Sequence, residues 1–157
     1  MGICENNLFV VKINGDAVRY FPSYENMLVL KKEVERFLVS AGHEVYDVGC
    51  HSEESVDYPD IADKVCKELI EGRSVCGILI CGTGIGMSIA ANRYRQIRAA
   101  LCHEAFTARM SREHNDANVL CLGARVLGAG IALDIVNTWL ETEFAGGRHL
   151  RRITLMG

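Results

Sequence analysis

Proline is scarce, two in 157 residues, and tryptophan occurs once, so collagen-like and proline-rich extended chains are excluded. No apolar run approaches the ~20 residues that span a bilayer, so no membrane segment is expected. The start, Met1 to Asn7, has neither a basic region nor a long apolar core. A signal peptide is therefore not expected, and a cytoplasmic location is. Seven cysteines, at 4, 50, 66, 76, 81, 102 and 121, include no C-x-x-C pair. Zinc-ribbon and thioredoxin-like motifs are thus absent, and most of these thiols read as buried and reduced. The five histidines show neither an i, i+4 pair nor H-E-x-x-H, so no metal site is expected. There is no basic excess either: 17 Lys and Arg against 20 Asp and Glu give a net charge of −3. A nucleic-acid partner is not expected, although Arg148, Arg151 and Arg152 are locally basic. What is present, 49% hydrophobic and 24% charged residues, suits one globular domain over 1–157.

Short β-like runs alternate with helical ones. Leu8–Ile13, Glu44–Gly49, Gly77–Cys81, Ile97–Cys102 and Ala117–Leu122 read as strands. Met27, Leu30, Val34, Phe37 and Leu38 recur at helical spacing, with Gly42 as the stop. Ile61, Val65 and Leu69 mark a second helix, with Asp60 its expected N-cap after Pro59. A third helix follows the glycine turn through Asn92, a fourth runs to about Glu113, and Ala132 to Leu140 marks a fifth. The tail 146–157 reads as irregular. This alternation predicts an α/β, Rossmann-like three-layer fold, a five-stranded parallel sheet with helices on both faces. Ligands in such sheets bind at the carboxyl ends of the strands, which directs attention to Cys81, to Cys102 and His103, and to Gly123 through Arg125.

The stretch Ile80-Cys81-Gly82-Thr83-Gly84-Ile85-Gly86-Met87-Ser88 is the most informative. Alternate glycines between a buried strand and a helix let backbone N–H groups crowd toward a ligand, and the helix start favours an anion or a developing oxyanion. Close helix packing around a tight turn is the plainer reading. Met87 stands where a dinucleotide fingerprint wants its third glycine, although Glu104 lies about 20 residues on. Cys81 ends the strand beside the helix start, a placement that favours the thiolate and suits a base or nucleophile; a buried structural thiol is the other reading. His103 and His114 are its candidate partners.

Two further clusters stand out. Ser111 through Asn118 (SREHNDAN) joins a helix to a strand with groups of several chemistries, or serves only as a capped polar loop. Gly147-Arg148-His149-Leu150-Arg151-Arg152 offers arginines, the preferred bidentate partners of phosphate, or a solvated basic tail. Together they suggest a site for a small anionic molecule. Asp57, Tyr58 and Pro59 read as a helix entry.

Four stretches carry a resemblance: SEESVDYPDIA (52–62), GILICGTGIGMSIAANR (77–93), IRAALCHEAFTARMSREHNDANVLCLGARVLG (97–128) and EFAGGRHLRR (143–152). In order and spacing they resemble the type B ribose-5-phosphate isomerases, a family that includes galactose-6-phosphate isomerase subunits and allose-6-phosphate isomerases. The likeness runs from about Leu30 to the C-terminus. It implies a cofactor-free aldose–ketose isomerase of the pentose phosphate pathway that interconverts ribose 5-phosphate and ribulose 5-phosphate. It also implies a homodimer, or a tetramer, with shared active sites. By the resemblance, Cys81 is the base that shuttles a proton between C2 and C1 of an enediolate. Thr83 and the amides of Gly82, Gly84 and Gly86 hold the oxyanion. His114 helps open the sugar ring, Asn115 touches the sugar, and Tyr58 lines the pocket. Arg125, Arg148 and Arg152 face the phosphate, some across the dimer.

The chain departs from the family near its start. The family pattern Gly-x-Asp-His-x-Gly after the first strand is matched without a gap by Pro22 to Met27, which puts Tyr24 and Glu25 where Asp and His stand. With a gap, Asp16 and Ala17 take those places. Residues 1–29 are accordingly a divergent segment. Two rivals to the isomerase remain at this point: a non-catalytic or altered-specificity paralogue binding allose or galactose 6-phosphate, and a nucleotide-binding module. The catalytic reading requires the Cys81 sulfur to face an anion-friendly pocket close to the His114 imidazole.

Overall fold

Cys76–Cys81 is buried at every residue, as a strand covered on both faces must be. The computed structural model describes residues 8–12, 24–49 and 57–156, with backbone alone for 8–12 and 24–27. In chain order these form β1 (Leu8–Lys12), α1 (Tyr24–Ser40), α2 (Tyr58–Ile70), β2 (Cys76–Cys81), α3 (Ile85–Ala91), β3 (Ala99–Leu101), α4 (Ala105–Asn115), β4 (Val119–Gly123), α5 (Ala129–Glu141) and α6 (Arg148–Met156). The sheet is parallel throughout, in the order β1-β2-β4-β3.

Strand alternation divides the core in two. Ile78, Ile80, Leu120 and Leu122 face one layer with Leu30, Val34 and Leu38 of α1 and Ile135, Val136 and Trp139 of α5. Leu79, Cys81, Val119 and Cys121 face the other, with Ile61, Val65 and Cys66 of α2 and Met87 of α3. Each fully buried aliphatic side chain contributes roughly 1.5–3 kcal/mol of burial free energy, so neither face can be given up. The three-layer expectation thus holds for the described residues.

Four details correct the sequence reading. The described residues hold four strands, not five. Glu44–Gly49 contributes a single bridge residue at Val45, because Asp47 turns back: its Oδ1 accepts the Gly49 N–H at 2.9 Å and its carboxylate pairs with buried Lys31. A side chain that bonds its own backbone competes with a strand ladder. The N-cap of α2 is Asp57 rather than Asp60, since Pro59 takes a first-turn position where its missing N–H costs nothing. The tail is helical over Arg148–Met156. Its inward face is His149, with Ile153 half-buried one turn on, and a buried histidine in an apolar role hides that periodicity. Asp16 and Ala17 lie outside the described residues, while Tyr24 and Glu25 open α1.

The topology places a crevice. The chain leaves β2 toward the α2/α3 layer and leaves the neighbouring β4 toward the α1/α5 layer. Connections diverging from adjacent strand ends open a cleft between them, where open α/β sheets bind ligands. The paired residues at that point are Cys81 and Gly123.

Candidate active site

The carboxyl end of the sheet is assembled from backbone. Cys81 Sγ accepts the Gly84 N–H at 3.1 Å, and the residue keeps 8% exposure. Gly84 can point its amide there because it adopts φ +78°, a left-handed conformation costly for other residues. A Cβ at this position would also meet Leu101 Cδ1 at 2.5 Å. The turn rests on β4: a Cβ on Gly123 would lie 2.7 Å from the Thr83 carbonyl oxygen. It is latched by Ala124 N–H to Cys81 O at 2.8 Å and Arg125 N–H to Gly82 O at 2.9 Å. The exposed Thr83 hydroxyl accepts the Ile85 N–H at 3.3 Å. The first intrahelical bond of α3 runs from Ser88 to Gly84, so the amides of Gly86 and Met87 lie ahead of the helical ladder, where an anion is favoured. The Arg125 side chain lies against Gly82, and the Tyr58 ring sits flush on Gly86, 2.9 Å from where a Cβ would be. Tyr58, Gly86 and Ile89 border a cleft of about 490 Å³.

Three other described thiols are sealed in the core. Burial pushes Cys66 up to about 12 and Cys102 up to about 11, and holds the fully enclosed Cys121 well above the ordinary thiol range. These are inert core groups, as the sequence suggested. Glu104, the acidic residue a dinucleotide reading would need, instead caps α4. Its carboxylate accepts the N–H groups of Phe106 at 2.7 Å and Thr107 at 2.9 Å; the Thr107 side chain first, and then these amides, hold its pKa below the usual carboxylate range. His103 is exposed at this same end, but in the bend just beyond β3, and β4 stands between β3 and β2.

His114, Asn115, Arg148 and Arg152 lie elsewhere. Helix α4 starts beyond the carboxyl end of β3 and runs back, so its last turn reaches the amino end of the sheet. There Arg98, just ahead of β3, donates from Nε to the carbonyls of Asn115 at 3.0 Å and Asp116 at 2.9 Å. The β4 register puts this level about 15 Å from Cys81, at ~3.3 Å per residue. Within one copy, therefore, the sulfur and the imidazole do not share a pocket. This corrects the expectation that they would.

The structure also sorts the SREHNDAN cluster. Asp116, in the left-handed region at φ 45°, is clamped by Arg98 at 2.9 Å and Arg112 at 3.3 Å. Arg112 is buried, bonds Ala117 O at 2.7 Å and stacks over Trp139. Asn118 bonds the Arg98 amide at 2.8 Å. These residues are structural, which leaves His114 and Asn115 facing outward. The sequence reading did not select His149, which the structure places ring-to-ring on His114, with centroids 4.2 Å apart and planes 3° apart. The available signal was its place in the arginine motif. A second cleft, about 460 Å³, opens here beside Asn115, Ser111, Arg98, Ile153 and Met156.

The model of the Ribose/Galactose Isomerase family matches residues 23–156. The chain belongs to this family. Among its relatives, "Ribose-5-phosphate isomerase B" of Escherichia coli is 48% identical over 125 residues, covering 80% of this chain and 84% of that one. "D-erythrulose-4-phosphate isomerase" of Pectobacterium atrosepticum is 40% identical over 129 residues, 82% of this chain and 85% of the relative. The crystal structure of a ribose 5-phosphate isomerase from Thermotoga maritima superposes with a TM-score of 0.87 at 46% identity, over 97% of each chain. Ribose-5-Phosphate Isomerase B of Clostridium thermocellum gives a TM-score of 0.86 at 49% identity, over 96% of this chain and 95% of the other. For this ribose/galactose isomerase the α/β layers and parallel sheet therefore stand on both geometry and kinship.

Proposed function

We propose that the chain interconverts ribose 5-phosphate and ribulose 5-phosphate through an enediolate, with Cys81 as the base. The observation that carries this is the Cys81 sulfur held on the Gly84 amide at the mouth of a glycine turn, in a chain of this family. An aldose C2–H becomes removable only if the developing negative charge on O1 is met by donors already in place. The sulfur takes the C2 proton, and the C–H electron pair forms the C1–C2 double bond. The charge on O1 falls to Thr83 and the turn amides of Gly82, Gly84 and Gly86. The O2 proton passes to O1, the carbonyl forms at C2, and the sulfur returns its proton to C1. Tyr58 closes the side of the cleft, and Arg125 supplies positive charge beside Gly82. The proton transfers as written need only these groups of the chain.

The furanose must open first, by loss of the O1 proton and gain of one on the ring oxygen. His114 serves that step, with Asn115 against the sugar and Arg148 and Arg152 on the phosphate. Because these groups lie at the opposite end of their own copy, they come from a second copy: an isologous homodimer holds two shared sites. The buried free thiols support a reducing, cytoplasmic setting, and no described helix is long and apolar enough to cross a membrane.

The test is Cys81→Ala assayed with ribose 5-phosphate by formation of the ketose. A loss of about 10²–10⁴ in kcat with an unchanged unfolding midpoint is expected. A variant retaining wild-type kcat overturns the assignment.

A further inference from the structure

We propose that His149 is a positioning residue for His114: its buried flat ring is the surface on which the catalytic imidazole is held in one plane, leaving the exposed edge to the substrate. The proposal rests on the reading of His114 as the ring-opening group. The stack is nearly parallel, 3° between planes at 4.2 Å. The two partners are unequal, since His149 is 8% exposed whereas the His114 side chain is 39% exposed. The buried ring can therefore order the exposed one.

Three further contacts fix the geometry. Ala145 N–H bonds Glu113 O at 3.0 Å, tying the approach to α6 onto α4 one residue from His114. The N–H of His149 bonds Gly146 O at 3.0 Å across a turn where Gly146 and Gly147 both have positive φ, 66° and 54°. Arg148 Nε donates to His149 Nε2 at 3.4 Å, which makes that nitrogen an acceptor and the ring neutral. Burial, then His114, Arg148 and Arg152, lower the His149 pKa, with Glu113 opposing. A neutral ring can lie against an imidazole that cycles through its charged form, whereas two imidazolium faces in parallel contact repel. The exposed end of α4 offers His114 little else: its nearest carboxylate, Glu113, stands 3.7 Å from its Nε2.

The test compares His149→Leu and His149→Gln, which remove the ring by two routes, with His149→Phe, which keeps a flat ring. All three are assayed with ribose 5-phosphate and checked by thermal unfolding. Leu and Gln are expected to lose about 10- to 100-fold in kcat with little change in KM, because the proton donor is misplaced rather than the substrate lost. Phe is expected to restore kcat to within about threefold of the wild type. Wild-type kcat in Leu and Gln, a Phe variant as impaired as they are, or a rise confined to KM would each overturn the proposal; the last would assign His149 to the phosphate through Arg148. The ring protons of His114, read by NMR in the wild type and the Leu variant, decide independently of turnover. A shift on loss of the neighbouring ring is expected, and no shift overturns the stack. Failure of the isomerase reading is seen separately, as a wild-type protein without turnover whose His114 signal still responds.

Discussion

The two ends of the sheet build their halves of the proposed site from different materials. At the carboxyl end the sulfur, the turn and the oxyanion donors are set by backbone: a left-handed Gly84, a Gly123 with no Cβ beneath Thr83, and two amide latches from the β4–α5 loop. At the amino end, His114 and Asn115 sit on the last turn of α4, held by side chains: the His149 ring, and an Asp116 clamped between Arg98 and Arg112. Backbone donors are rigid and suit charge that appears only at the transition state. Side-chain supports can be tuned by charge and protonation, which suits a group that must pass a proton. One end is therefore expected to be intolerant of added atoms and the other of changed charges.

The separation itself can be broken most decisively by mixing. Cys81→Ala and His114→Ala are each expected to lose most activity. Denatured together in equal amounts and refolded, they are expected to regain about a quarter of wild-type turnover, since half the dimers are mixed and each mixed dimer has one intact site. No recovery would mean that one copy holds a complete site.

Gly123→Ala tests the backbone character of the first end. The added methyl cannot fit 2.7 Å from the Thr83 carbonyl, so the turn must lift. A stability loss of about 1–3 kcal/mol is expected, together with a fall in kcat larger than any change in KM. Denaturant unfolding and steady-state kinetics read the two effects, and an unimpaired kcat would show that the turn height is unimportant.

The smallest effect is on pH dependence at the second end. His149 is buried with its pKa below the ordinary 6.5, so the unfolded chain binds its proton more readily. The stability this contributes is present above pH 6.5 and is lost as pH falls from there through the folded-state value. Glu104, Glu68 and Asp63 have lowered carboxylate values and act only below about pH 4.5, so the windows separate. Unfolding midpoints between pH 7 and 5 are expected to fall in the wild type and to flatten in His149→Phe; parallel curves would assign the slope to another group.

Much of this was legible in the chain. Continuous apolar runs at 77–81 and 117–122 announce strands buried on both faces, and three alternate glycines after Cys81 announce a turn made for close backbone approach, because glycine leaves no Cβ in the way and tolerates the left-handed φ that Gly84 takes. The lost strand at 44–49 and the hidden helix at 148–156 show the limit. Asp47 finds a partner on its own backbone, and His149 is buried like an apolar residue; neither choice has a local signature. The proposed chemical groups, Cys81, Thr83, His114, Asn115 and the arginines, are named by a resemblance carried in one dimension. Which of them stand together does not. A helix after a strand returns to the strand's starting end, so residues close in sequence to one strand tip can finish about 15 Å from another. Only packing decided that the sulfur and the imidazole of one copy lie apart, and that a second histidine lies beneath the first.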